Sequence, residues 1–330
     1  MKEKKCFIIF LSSVIFFLIM TAGINLYLDA YGIFRETYEN QVLEPNKNYV
    51  KTKHVIDNKE KYNSFLFGSS KVGHIETDFI ENTFCYNMCY SEGVPYDWLD
   101  TIKSFLENDV HIEMIMLGLD DFSFTIDPSS HQHNLLRIYY SKLNWYTKFK
   151  YYIMRNPFDV YNYKTIMNMI EDRPYFLATD DLLRTGIAYG NDEYIEANLA
   201  SHMNDPKFLN GTDFYQLDRV EETIRDIQDI RNLCDEKQIE LLIFINPIHE
   251  KTYALHSDIT ERAKEELAKV TGYWDFSGYN SVNTNNYYWY ETSHYRHNVG
   301  RMIIERIFNV DCGVDIPADF GVYVEQIIDE

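Results

Sequence analysis

Two short segments far apart in the chain carry residue types suited to a nucleophile and its base. Phe65-Leu66-Phe67-Gly68-Ser69-Ser70 puts hydroxyls directly after an apolar run. Glycine permits a sharp turn at the end of a buried strand, and such a turn lifts a hydroxyl to the sheet edge. The amides of a following helical turn then face developing negative charge. Glu291-Thr292-Ser293-His294-Tyr295 is the second segment. A hydroxyl nucleophile needs a base, and an imidazole needs a partner at its other nitrogen to fix its tautomer and orientation. A carboxylate three residues ahead of a histidine can supply that from one turn. Taken singly, each segment also fits a plainer reading: a loop ahead of a helix N-cap, and an exposed Glu and His on a loop.

The elements that would have to position these residues alternate. Ser64 to Gly68, Phe84 to Met88, Met114 to Leu117, Leu241 to Ile245 and Tyr273 to Phe276 are short apolar runs of the kind expected for buried strands. Trp98, Ile102 and Phe105 recur at helical spacing, as do Leu217, Val220, Ile224 and Ile227. Glu261 to Val270 and Val299 to Phe308 read as further helices. Strands alternating with helices imply an α/β domain with a mostly parallel sheet covered on both faces, and a site at the strand C-termini. Residues 137–208 lack strand signals and are crowded with Tyr139, Tyr140, Trp145, Tyr146, Tyr151 and Tyr152. They are expected to form a helical insertion whose rings pack rather than line a sugar groove.

Cys6 to Leu28 contains no charged residue and follows Lys2, Lys4 and Lys5. About 20 apolar residues cross a bilayer core as a helix. The basic flank favours the cytoplasmic side, so the rest of the chain is expected outside. The stretch exceeds an ordinary signal-peptide core and lacks a small-residue cleavage site, which favours an uncleaved anchor. Residues 1–28 are therefore read as flank and transmembrane anchor, 29–61 as a juxtamembrane connection and 62–330 as the folded domain. A net charge of −20 argues against nucleic acid as a partner. Cys85, Cys89, Cys234 and Cys312 match no zinc spacing and are read as buried thiols. His131 with His133, or His294 with His297, lacks a third ligand, so no metal or other cofactor is expected. His249, after Asn246-Pro247, is either a substrate contact or part of a turn.

In order and context, these segments resemble the SGNH (GDSL-like) hydrolase superfamily over Tyr62 to Phe308. The likeness is greatest to its membrane-anchored branch, associated with polysaccharide O-acetylation and teichoic-acid D-alanylation. The resemblance implies a flavodoxin-like three-layer fold with a parallel sheet. It assigns Ser70 as nucleophile with Ser69 as fallback, His294 as base and Glu291 as its orienting acid, where Asp is usual in the family. Oxyanion-hole positions fall on Ser70, Gly93 and Asp120. Asp120 stands in Gly118-Leu119-Asp120-Asp121 where the family normally has asparagine, and an ionised carboxylate would repel an oxyanion.

The activity implied is that of a serine esterase or O-acyltransferase acting on acyl groups of envelope glycans. Its partners would be a cell-envelope polysaccharide or teichoic acid and a membrane-bound O-acyltransferase as acyl donor. The competing expectation is a noncatalytic SGNH-fold scaffold or polymer-binding protein, for which Asp120 and Glu291 speak.

Overall fold

The computed structural model describes residues 2–35, 41, 43–133, 135–171 and 191–328. Six strands form one sheet: β1 Ser64–Gly68, β2 Cys85–Asn87, β3 Met114–Leu119, β4 Glu240–Ile245, β5 Tyr273–Asp275 and β6 Val322–Val324. Their order is β2-β1-β3-β4-β5-β6. The first five run parallel, and the arrangement 2-1-3-4-5 is that of a flavodoxin-like doubly wound sheet. The expected parallel sheet needs one correction, because β6 joins β5 antiparallel and makes the sheet mixed. This edge strand is three residues long and half exposed, so it lacks the apolar run that reveals a buried strand.

Seven helices of eight residues or more lie among the described residues: α1 Lys2–Leu28, α2 Lys47–Asp57, α3 Pro95–Glu107, α4 Tyr163–Ile170, α5 Val220–Lys237, α6 Ser257–Val270 and α7 His297–Phe308. Helix α3 starts with proline at its first turn, where the missing N–H costs nothing. It buries Trp98, Ile102 and Phe105 along one stripe. Each such side chain contributes about 1.5–3 kcal/mol by leaving water. That stripe meets Phe65, Phe67, Ile115 and Leu117 on one face of the sheet, together with Ile227 of α5 and Leu267 of α6. The alternate residues Leu66, Met116 and Phe244 face the other way, against Val299, Met302 and Ile303 of α7. Strand alternation thus gives the two covered faces of a three-layer α/β domain.

Helix α1 is long and apolar enough to cross a membrane. The stretch read as a juxtamembrane connection contains α2, which buries Tyr49, Val50 and Val55 against the domain. Lys or Asn at four of its eleven positions and Asn at both caps hide that packing from a periodicity reading. The expected insertion holds α4 and short helical turns, and its part from 172 to 190 lies outside the described residues. Its rings divide: Tyr139 and Tyr152 are buried, whereas Trp145 and Tyr146 are exposed, with Trp145 stacked on Phe149.

Candidate active site

Strand β1 ends at Gly68, and the chain turns into a single 3-10 turn, Ser70–His74, rather than a longer helix. Ser69 caps that turn, its hydroxyl accepting the Lys71 N–H at 3.1 Å. A Cβ at Gly68 would lie 2.5 Å from both Val72 methyls, so a glycine lets the turn fold back onto the strand. Ser69 is fully buried, while Ser70 stays partly open at the sheet's C-terminal edge.

The base arrives on a hairpin between β5 and α7. Trp289 and Tyr295 pair as an antiparallel bridge, with Tyr290 N–H donating to His294 O at 2.8 Å. Inside this loop the Glu291 carboxylate accepts the Ser293 amide at 2.6 Å and the His294 amide at 3.0 Å. The His294 Nδ1 also meets Glu291 Oε1. With its proton held there, the ring presents Nε2 to the Ser70 Oγ at 2.8 Å. Burial pushes the Glu291 carboxyl up, but the His294 contact and the two amides outweigh it and hold the group below its usual range. The three residues singled out in the sequence therefore converge as a Ser-His-Glu arrangement.

Several buried groups fix the histidine loop. The Tyr295 hydroxyl donates to Asn246 Oδ1 at 2.9 Å, tying the loop to the end of β4. Trp289 Nε1 donates to Val282 O at 3.1 Å. The almost wholly buried Arg296 extends to Asp192 at 2.5 Å and Glu196 at 2.7 Å. Tyr290 hydroxyl bonds Asp192 at 2.6 Å, and His202 Nε2 bonds Trp289 O at 2.8 Å. Residues 191–203 of the insertion thus clasp the loop that carries His294.

On the neighbouring strand, Gly118 is the register partner of Gly68, so Asp120 follows β3 at the level where Ser70 follows β1. Asp120 is fully buried, and its carboxylate lies 3.4 Å from the Lys71 ammonium. Lys71, itself buried beside Ser70, also reaches Asp121 at 3.0 Å. Burial pulls the Lys71 ammonium down, but Asp121 and Asp120 more than restore it and raise it above its usual value. Burial also raises the Asp120 carboxyl, with Lys71 and Ser69 opposing. Asp120 therefore has a cation for a partner, a role that the sequence left open. Lys71 was missed because a lysine one residue past the serine reads as surface.

Gly93 sits against the nucleophile strand: a Cβ there would lie 2.7 Å from Gly68 O and 2.9 Å from Trp98 Nε1. Its amide meets Tyr90 O at 3.3 Å, a long bond within the turn. Arg137 holds this turn through Glu92 at 2.7 Å and Ser91 O at 3.0 Å. Glu44 accepts the Ser91 hydroxyl at 2.8 Å and pairs with Lys47 at 2.8 Å. Below it, the Tyr90 hydroxyl and buried His131 both bond Asp97, at 3.0 and 2.6 Å. Lys51 of α2 donates to Cys89 O at 2.6 Å and Asn87 O at 3.1 Å. The supports from Lys51, His131 and Arg137 were not legible from spacing, since their partners come from separate parts of the chain.

His249 is a turn residue. It is buried, bonds Asn286 Oδ1 at 3.0 Å and accepts the Lys251 amide at 3.2 Å as the cap of a short helix. His297 bonds His74 O at 3.1 Å. The His133 side chain lies outside the described residues. Among the described residues no three His, Cys, Asp or Glu side chains are grouped to hold a metal ion. Cys85, Cys89, Cys234 and Cys312 are buried and form no disulfide among the described residues. No family model matches the chain, and no curated protein matches it.

Proposed function

We propose that this chain is a membrane-anchored serine esterase or O-acyltransferase of the SGNH type, acting on acyl groups of cell-envelope glycans through an acyl-Ser70 intermediate. The observation that carries the reading is the continuous line Ser70 Oγ, His294 Nε2, His294 Nδ1, Glu291 carboxylate. A hydroxyl is a poor nucleophile until a neighbouring base takes its proton, and the base works only when its second nitrogen is held.

His294 Nε2 accepts the Ser70 proton as Oγ bonds to the carbonyl carbon of an ester or thioester. The negative charge that forms on the carbonyl oxygen meets the Ser70 amide and the Gly93 amide, which exchanges its long bond to Tyr90 for the oxyanion. Collapse breaks the bond to the leaving oxygen or sulfur, and His294 returns the proton to it. The acyl-Ser70 ester is then attacked by water or by a sugar hydroxyl, with His294 again holding the proton, and Ser70 is regenerated. Water as acceptor gives an esterase; a glycan hydroxyl gives a transferase. Asp120 serves here as the counter-charge of Lys71 rather than as an oxyanion donor.

The lysine-flanked α1 leaves the N-terminus cytoplasmic and the domain outside, where envelope polysaccharide or teichoic acid supplies the acceptor. A membrane-bound O-acyltransferase is the proposed acyl donor. Incubation with a fluorophosphonate, followed by intact mass, tests the chemistry: a single adduct on Ser70 is expected. A folded protein that never labels and turns over no aryl ester would overturn the reading in favour of the noncatalytic scaffold.

A further inference from the structure

Helix α4 is amphipathic in the wrong sense for a helix of a water-soluble domain. Tyr163, Ile166, Met167 and Ile170 recur at i, i+3, i+4 and i+7, which makes an apolar stripe. Tyr163 and Ile170 are 79% and 71% exposed, while the small polar Thr165 is the residue buried. Phe158, just before the helix, is 81% exposed. Phe158, Ile166 and Ile170, together with Pro157, Tyr161 and Met169, line an open apolar groove of about 400 Å³, and Ile24 and Leu28 of α1 complete it.

The position of that groove along α1 identifies its surroundings. A bilayer core of about 30 Å takes up about 20 helical residues, and counted from Cys6 these end near Asn25. Asn25 is a buried polar residue whose Nδ2 donates to Ile153 O at 2.8 Å and Arg155 O at 2.7 Å. The backbone of the insertion therefore meets the anchor where the anchor leaves the hydrocarbon. Phe158 and the exposed Ile166, Met169 and Ile170 of α4 share one apolar groove there with Ile24 and Leu28 of α1.

We propose that Phe158 and the outer stripe of α4 form a second bilayer contact, lying in the outer interface of the membrane and seating acyl chains in the groove against Ile24 and Leu28. A short amphipathic helix with tyrosine and phenylalanine at its margin suits that boundary, where rings meet both headgroups and chains. The domain is thereby held at two points and keeps a set attitude to the membrane instead of swinging from α1 alone. This inference rests on α1 spanning a bilayer and is independent of the chemistry at Ser70.

The test uses the full chain in lipid nanodiscs. Cys6→Ser removes the exposed thiol, the other four cysteines being buried. Single cysteines at Ile170 or Phe158 carry an environment-sensitive fluorophore, and Ile15→Cys in α1 is the reference for insertion. All four replaced side chains are exposed, so matched thermal unfolding is expected. Labels at 158 and 170 should lose emission when interfacial doxyl lipids are included and resist aqueous iodide. Quenching by iodide without quenching by doxyl lipid would overturn the proposal, leaving the stripe in water. A label protected from both would also overturn it, because protein, either a second copy or another segment, would then cover the stripe. If Ile15 itself is not lipid-quenched, the span fails and the proposal with it.

Discussion

Ser69 turns its hydroxyl back onto the Lys71 amide at 3.1 Å, so the hydroxyl left to meet His294 is that of Ser70. The two adjacent serines should therefore separate cleanly on mutation. Ser70→Ala is expected to remove the fluorophosphonate adduct and lower ester turnover by about 10⁴-fold or more with the melting temperature unchanged, and His294→Ala should nearly match it. Ser69→Ala should keep the adduct and instead lose about 1 kcal/mol of stability with the cap. An adduct that survives Ser70→Ala at the parental rate would refute the assignment.

Glu291→Gln preserves the side-chain shape but changes what Nδ1 faces, and activity should fall by about 10²- to 10⁴-fold. The folded Glu291 carboxyl lies below its ordinary value of 4.5. Its contribution to stability is thus full above about 4.5 and is lost as pH falls through the depressed folded value. Melting temperatures of the parent and Glu291→Gln should differ at neutral pH and converge in acid. A gap that widens towards low pH would show that the carboxylate is not held as described.

Lys71→Met leaves two buried carboxyl groups without their cation. A loss of about 3–5 kcal/mol in urea unfolding is expected. Adding Asp120→Asn should recover part of it, because one uncompensated charge is then gone. If the double variant is no more stable than Lys71→Met, Asp120 is not a partner of this lysine in the sense drawn above.

Gly93→Ala places a methyl against Gly68 O and the Trp98 ring nitrogen. The turn must shift, costing about 1–3 kcal/mol. Labelling of Ser70 should slow although neither Ser70 nor His294 has been altered. An unchanged labelling rate would remove Gly93 from the proposed oxyanion site.

Topology is testable without any variant. Protease added to spheroplasts should digest the domain and spare the N-terminal flank. Complete protection, while a control surface protein is cut, would reverse the orientation.

Much of the frame is readable from local pattern. Phe65 and Phe67 against Leu66, or Trp98, Ile102 and Phe105, announce their elements because burial and period coincide. Ser70, Glu291 and His294 stand out for a related reason: a strand end and a three-residue spacing each carry chemical meaning. Lys51, Lys71, Arg296 and Asp97 do not, since buried charges resemble surface charges until their distant partners are known. β6 is short and half exposed, and α2 packs through Tyr49, Val50 and Val55 among lysines and asparagines, so neither presents a period.

Arg296 has a consequence for how the molecule can vary. Two residues past the base, it is anchored on carboxylates at 192 and 196 at the end of the insertion. Exchanging the insertion for one of another length or sequence is therefore no neutral graft, even if nothing near Ser70 is touched. A replacement without acceptors at those two places would take both carboxylates from a buried guanidinium and loosen the hairpin behind His294. Sequence change in this protein is thus channelled: the stretch that carries Asp192 and Glu196 is tethered to the histidine hairpin and must change in concert with it.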